Sequence, residues 1–252
     1  MDHAIYTAMG GASQSLDQQA VISNNLANAS TSGFQAQLSA MRAVPVNGET
    51  LPTRTLVVAS TPGTLTTPGP LDYTSRPLDV AVQDQGLLAV QLPNGEEAYT
   101  RNGNIQEDNT GQLLIQGYPV VGQNGPLVVP TQASITMAAD GTVSALGAGD
   151  QPNTVEEVGQ LKLVKPDDGQ LVRGDDGLFH LTAAASAQVG QALPADNTIK
   201  VMPGVLEGSN VNTAESLVDM IGTARRFEMQ MKVISDADDN AEKANELLTV
   251  SS

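Results

Sequence analysis

The sequence predicts a mixed α and β fold, with a helical segment at each terminus and a central all-β domain. Three observations predict it. Apolar residues recur with helical period at both ends, Asn-Gly and Asp-Gly dipeptides punctuate short apolar runs in the middle, and prolines crowd the stretch after the first helix. Hydrophobic residues make up 40% of the 252, aromatic residues only 3%, and Trp is absent. A core must therefore be built mainly from Val, Leu, Ile, Ala and Met.

The first element is a helix over residues 4–28. Ile5, Met9, Ala12, Leu16 and Leu26 mark its apolar face, with Ala20 and Ile22 filling it. Gly10-Gly11 weakens it by roughly 1 kcal/mol per Gly. The run Asn28-Ala29-Ser30-Thr31-Ser32-Gly33 supplies the stop. Residues 45–75 read as an extended linker, because Pro45, Pro52, Pro62, Pro68 and Pro70 forbid a helix and disfavour a central strand.

From 76 to 204 the pattern is β. Runs such as Leu78–Val82, Leu87–Leu92, Leu113–Ile115 and Leu161–Val164 alternate with Asn94-Gly95, Asn102-Gly103, Asn124-Gly125, Asp140-Gly141, Asp168-Gly169 and Asp176-Gly177. Such dipeptides favour the positive-φ turns of tight antiparallel hairpins. The last domain, 205–252, returns to helix. Met220, Phe227, Ile234, Ala241 and Leu248 recur every seven residues, and Leu217, Ala224 and Met231 form a second row three residues earlier. Two such rows are the seam of a coiled coil. A helix at each terminus of a β domain suggests that the termini meet, and helices of this kind are marginal in water without partners.

Formal net charge is −16, with 17 acidic and 7 basic residues between 45 and 204 and no basic run, which disfavours nucleic acid as a partner. Cysteine is absent, which removes disulfides and thiolate metal sites. The start, Met1-Asp2-His3-Ala4, lacks the basic and apolar regions of a secretory signal, and no run is long enough to span a membrane. Catalysis finds little support. His3 sits at the chain start, and His180 reads as a solvent-facing strand residue beside Asp175-Asp176. No nucleophile-elbow, P-loop or zinc-protease motif occurs. The acidic turns at Asp167-Asp168 and Asp175-Asp176-Gly177 lack EF-hand spacing. Tyr73, Tyr99 and Tyr118 are too scattered for a carbohydrate platform. No catalytic, cofactor or metal residues, no cofactor and no small-molecule substrate are expected.

One string is more specific. Asn24-Asn25-Leu26-Ala27-Asn28-Ala29-Ser30-Thr31-Ser32-Gly33-Phe34 resembles the N-terminal signature of the flagellar axial proteins, the family of rod, hook and hook-associated subunits. Physically, the polar run stops the helix, Gly33 permits a positive-φ exit and Phe34 anchors the departing chain. Leu206-Glu207-Gly208-Ser209-Asn210-Val211, Glu215, Met220-Ile221 and Arg225-Arg226-Phe227-Glu228 resemble the family's C-terminal signature. Ser75-Arg76-Pro77-Leu78-Asp79-Val80-Ala81-Val82 and Tyr99-Thr100-Arg101-Asn102-Gly103 resemble its shared β domain. Gln85-Gly86-Leu87-Leu88 and Gln35 depart from the usual pattern. The start Met1–Met9 is similar to that of a proximal-rod member rather than the distal-rod subunit.

The resemblance implies a structural subunit of the basal-body rod that is not an enzyme. Residues 1–44 and 205–252 would pair as an inner coiled-coil domain, with the linker 45–75 and the β domain 76–204 outside it. Asn24, Asn25, Leu26, Ala27, Asn28, Thr31, Gly33, Phe34, Leu206, Glu207, Ser209, Asn210, Val211, Met220, Phe227 and Ile234 would carry the family motifs and assembly. Implied partners are the proximal and distal rod subunits and the flagellar type III export apparatus. The implied location is the rod in the periplasm, reached without a cleaved signal. Two other readings are a secreted β-domain binding module, which would act as a monomer, and a hydrolase, which would need an acid–base constellation.

Overall fold

The computed structural model describes residues 2–45, 55–147 and 155–250, and Gly48 and Pro52 of the expected linker lie outside them. The chain divides into two units. One comprises residues 1–29, 37–62 and 211–252, and the other residues 30–36 and 63–210.

The first unit contains α1 (Asp2–Ala27), a long C-terminal helix (Thr213–Val250) and two mutually paired strands, Gln37–Pro45 and Thr55–Thr64, the last two residues of which belong to the other unit. The expected linker therefore includes a paired strand. Its prolines allow this, because Pro45 ends one strand and Pro62 lies near the end of the other.

The two long helices pack against each other and run antiparallel. Gln18 Oε1 accepts from Arg226 Nη2 at 2.8 Å, and Gly11 lies against the Gln230 side chain. The contact face of α1 carries small residues. Ala12, Ser15 and Ile22 are buried there, with Ile5 and Leu26 partly covered. On the C-terminal helix, Met220, Phe227, Ile234 and Ala241 are partly buried, as the heptad predicts. The second covered row is Thr223, Gln230, Ala237 and Ala244. The expected second row is largely outside: Leu217 and Met231 are exposed, and only Ala224 is partly covered. Close approach explains the exchange. A Cβ on Gly11 would stand 2.6 Å from Gln230 Nε2, so the helices meet through small and polar side chains. Met9 and Leu16, expected on the inner face of α1, are also exposed.

The second unit is built from antiparallel strands. A five-stranded sheet is ordered Leu163–Val164, Leu87–Gln91, Glu97–Thr100, Phe179–Leu181 and Leu171–Arg173. Two three-stranded sheets, Ser134–Met137 with Thr142–Leu146 and Glu156–Gln160, and Gln106–Glu107 with Leu113–Ile115 and Tyr118–Pro119, surround it with shorter pairs. The strand Leu87–Gln91 shows the period of two that organises the core. Leu88 and Val90 join a large cluster with Ile105, Leu113, Ile115 and Leu178. Leu87 and Ala89 join a second cluster with Tyr99, Val164 and Phe179. Five of the six expected turns place glycine at positive φ, at Gly95, Gly125, Gly141, Gly169 and Gly177. Gly103 does not, because it is pressed against the Val80 carbonyl instead of turning a hairpin.

The expected all-β region also contains a short helix, α2 (Ala183–Val189). Thr182 caps it by accepting from Ala185 N–H at 3.2 Å, and Gly190 ends it at φ 87°. Its Ala-rich sequence has high helix propensity and Thr182 supplies the cap, which outweighs the β pattern of the flanking segments. The C-terminal helix is α3 hereafter.

Tyr99 ties the second cluster together. Its hydroxyl accepts from Leu193 N–H at 2.7 Å and donates to Glu97 Oε2 at 3.3 Å. Burial pushes its phenol up from 10.0 to about 12. The neutral phenol is favoured by the fold, so its contribution is fully present below pH 10 and is lost as pH rises towards 12. A spectrophotometric titration should show one of the four tyrosines ionising about two units late, and Tyr99→Phe should remove that late step.

Candidate functional site

The motif residues divide between the two units. In the helical unit, Asn28 closes α1: its backbone N–H donates to the carbonyls of Asn24 and Asn25 at 3.2 Å, and its Nδ2 donates to Asn24 O at 2.9 Å. Asn25 receives the chain as it returns. Its Oδ1 accepts from Gln37 N–H and its Nδ2 donates to Gln37 O, both at 2.9 Å. One carboxamide thus stands in for a neighbouring strand. Leu26 is partly buried, whereas Asn24 and Ala27 are exposed.

In the β unit, the segments by which the chain enters and leaves, 30–36, 63–69 and 206–210, are drawn together. Gly33 has φ 67°, and a Cβ there would collide with the Arg101 and Asn102 backbone. Its N–H donates to Glu207 O at 2.7 Å, and Phe34 N–H donates to Thr31 O at 3.2 Å. Phe34 is buried, with the Arg173 guanidinium 4.0 Å above its ring. Arg173 Nη1 also donates to Gln35 O at 2.7 Å. Burial lowers the Arg173 guanidinium from its ordinary value, and the nearby Asp176 carboxylate acts the other way.

An ion pair lies beneath. Arg101 Nε meets Glu207 Oε2 at 2.6 Å, with both side chains 2% exposed. The remaining Arg101 donors reach Gly86 O at 2.9 Å and Val82 O at 3.0 Å. Glu207 Oε1 accepts from Gly69 N–H at 3.0 Å. A buried ion pair needs further hydrogen bonds to its other polar atoms, and here each Arg101 side-chain nitrogen and each Glu207 carboxylate oxygen has one. Asn210 completes the junction. Its N–H donates to Phe34 O at 3.1 Å, its Oδ1 accepts from Ala36 N–H at 2.7 Å, and its Nδ2 donates to Leu65 O and Thr67 O at 2.8 Å each. Leu206 pairs with Asp72 across Leu71–Tyr73, and Ser209 is buried.

The junction is a set of main-chain crossings held by side chains. It brings together Gly33, Phe34, Glu207 and Asn210, and does not include Met220, Phe227 or Ile234. Arg173 belongs to no motif, and nothing in the Tyr99–Gly103 string signals that Arg101 meets Glu207, 106 residues away. His180 Nε2 lies 2.9 Å from Asp176 Oδ2 on a partly exposed hairpin. Among the described residues no cluster of three or more His, Asp or Glu could hold a metal ion, and no helix is long and apolar enough to cross a membrane.

Comparison with known proteins follows the same three stretches. Residues 5–35 match the family described as flagella basal body rod protein. Residues 81–145 match the flagellar hook protein FlgE/F/G D1 domain, and residues 202–247 match the flagellar basal body rod FlgEFG protein C-terminal family. The flagellar basal-body rod protein FlgF of Escherichia coli K12 is 65% identical over 251 residues, covering 100% of both chains. Its Salmonella typhimurium counterpart is 64% identical over the same length and coverage. The flagellar basal-body rod protein FlgG of Caulobacter vibrioides is 33% identical over 264 residues, covering 97% of this chain and 98% of its own. A chain matched from end to end by rod proteins belongs to the flagellar basal-body rod protein family and is a structural subunit of that rod.

Proposed function

We propose that the chain is a proximal-rod subunit that works only after assembly, as part of the shaft carrying torque from motor to hook, and that it has no catalytic role and needs no cofactor. Identity of 65% and 64% to the FlgF proteins of Escherichia coli and Salmonella typhimurium, against 33% to the FlgG of Caulobacter vibrioides, supports the proximal assignment. The helices within residues 1–44 and 205–252 pair as the inner coiled coil, the stretch 45–75 and the β domain 76–204 form the outer part, and the motif residues from Asn24 to Phe34 and from Leu206 to Ile234 serve assembly. Neighbours are other proximal and distal rod subunits. The chain reaches the periplasm through the flagellar type III export apparatus without cleavage.

One observation carries this reading. The packed helix pair still exposes Tyr6, Met9 and Leu16 on α1 and Leu217, Val218, Ile221, Met229, Met231 and Val233 on α3. Apolar surface of this extent marks a site for other chains. Inside the pair, Gln14 Oε1 and Gln230 Oε1 are buried without a hydrogen-bond donor. Each such group costs about 1–3 kcal/mol, so the pair alone is not strongly self-sufficient. The test is to label a turn of the β unit, at Glu96, and image purified basal bodies. The expected label lies at the rod, near its base. Label confined to the hook, or absent from basal bodies, would exclude the proposal.

A further inference from the structure

Every hydrogen-bonding position of the Asn210 side chain that the junction needs is in use. One oxygen accepts from Ala36 N–H at 2.7 Å, and one nitrogen donates to Leu65 O and Thr67 O at 2.8 Å each. No other side chain of this size supplies one acceptor and two donors on a short planar group. Aspartate would set a carboxylate against two carbonyl oxygens, and serine has a single donor. The bonds around it lie side by side. Asn210 N–H donates to Phe34 O at 3.1 Å, Leu65 N–H to Ala36 O at 2.8 Å, and Gly33 N–H to Glu207 O at 2.7 Å. From Glu207 the connection continues through Arg101 to the carbonyls of Val82 and Gly86, which flank the core strands.

We propose that Asn210 is the positioning residue of a mechanical clamp, through which force arriving along residues 30–36 and 210 is spread over the β unit instead of peeling it open. The inference rests on the torque-bearing reading above. Tension between the two termini reaches this unit from one side at residue 30 and from the other at residue 210, and the chain also leaves it after residue 36 and re-enters at residue 63. It therefore falls first on the bonds from Gly33 to Glu207 and from Phe34 to Asn210. The Asn210 carboxamide couples these to the 65–67 segment, so that the bonds share the load and break together.

The test is single-molecule pulling of the purified full-length chain, held by its termini. Asn210→Ala should lower the force that opens the β unit by about half, because three side-chain hydrogen bonds are lost. Asn210→Asp should also lower it, because a carboxylate can still accept from Ala36 N–H but faces the Leu65 and Thr67 carbonyls without a donor. Amide exchange along Leu87–Gln91 reports whether each variant is folded. A second arm needs no change at 210. The chain lacks cysteine, so Glu96→Cys with Asp168→Cys gives two handles on exposed turns. Pulling through these should open the otherwise unaltered unit at lower force than pulling through the termini. Equal opening forces in the two geometries, or an unchanged force in folded Asn210→Ala, would overturn the clamp. Neither result would touch the rod assignment, which the labelled basal bodies test separately.

Discussion

Glu207→Ala should destabilise the β unit by about 3–5 kcal/mol, the cost of leaving a buried charge without its partner. Arg101 would keep its bonds to Val82 O and Gly86 O, but its charge would have no counter-charge in a site 2% exposed. Gly69 N–H would lose its acceptor as well. Chemical denaturation of the purified chain measures this. Glu207→Gln should recover only part of the loss, because the amide restores shape and not charge. The double variant Arg101→Met with Glu207→Leu should also recover part, since an apolar pair avoids the unpaired charge. It would still leave the Val82 and Gly86 carbonyls and the Gly69 N–H to be satisfied. A loss below about 1 kcal/mol for Glu207→Ala would put the pair in the class of surface ion pairs and remove it as the anchor of the junction.

Much of this architecture was legible in the sequence because it rests on local rules. The heptad through Met220, Phe227 and Ile234 marks one face of α3, and that face is the partly buried one. Asn-Gly and Asp-Gly dipeptides marked five turns with glycine at positive φ, because glycine adopts such φ freely. The sixth, Asn102-Gly103, uses glycine for close approach to Val80, and a dipeptide cannot distinguish the two needs. Likewise, two rows flank the Met220 row, one with Leu217 and Met231 and one with Thr223 and Gln230, and choosing between them requires knowing the partner. Gly11, Ala12 and Ser15 on α1 decide for Thr223 and Gln230, which leaves Leu217 and Met231 outside. The junction was legible only in pieces. Its motifs named Gly33, Phe34, Glu207 and Asn210, but the bonds that close it join residues far apart in sequence, such as Ala36 and Asn210, 174 apart. Arg173 left no local signal, since an isolated arginine in a strand usually faces solvent.

The outward face of α3 gives the second large effect. Val218 is 68% exposed and Ile221 55%. Aspartate at both positions removes little packing within the subunit, so the cost to the isolated chain should stay within about 0.5 kcal/mol per site. In an assembly the same positions would be covered, and a buried unpaired carboxylate there is far more expensive. The penalty recurs at each copy. Rod completion and swimming should therefore fail while the purified chain unfolds normally. Phe227→Asp serves as a contrast. Phe227 is partly buried, so its replacement should weaken both the helix pair and the rod.

The most direct test is the fraction of purified basal bodies with a complete rod, counted by electron microscopy. It compares cells expressing the Val218→Asp, Ile221→Asp chain with cells expressing the unaltered one, at matched levels of exported protein. Almost no complete rods from the variant, with its thermal unfolding unchanged, is the result expected if the exposed helix faces are the assembly surface. Rods completed at the unaltered frequency would contradict it.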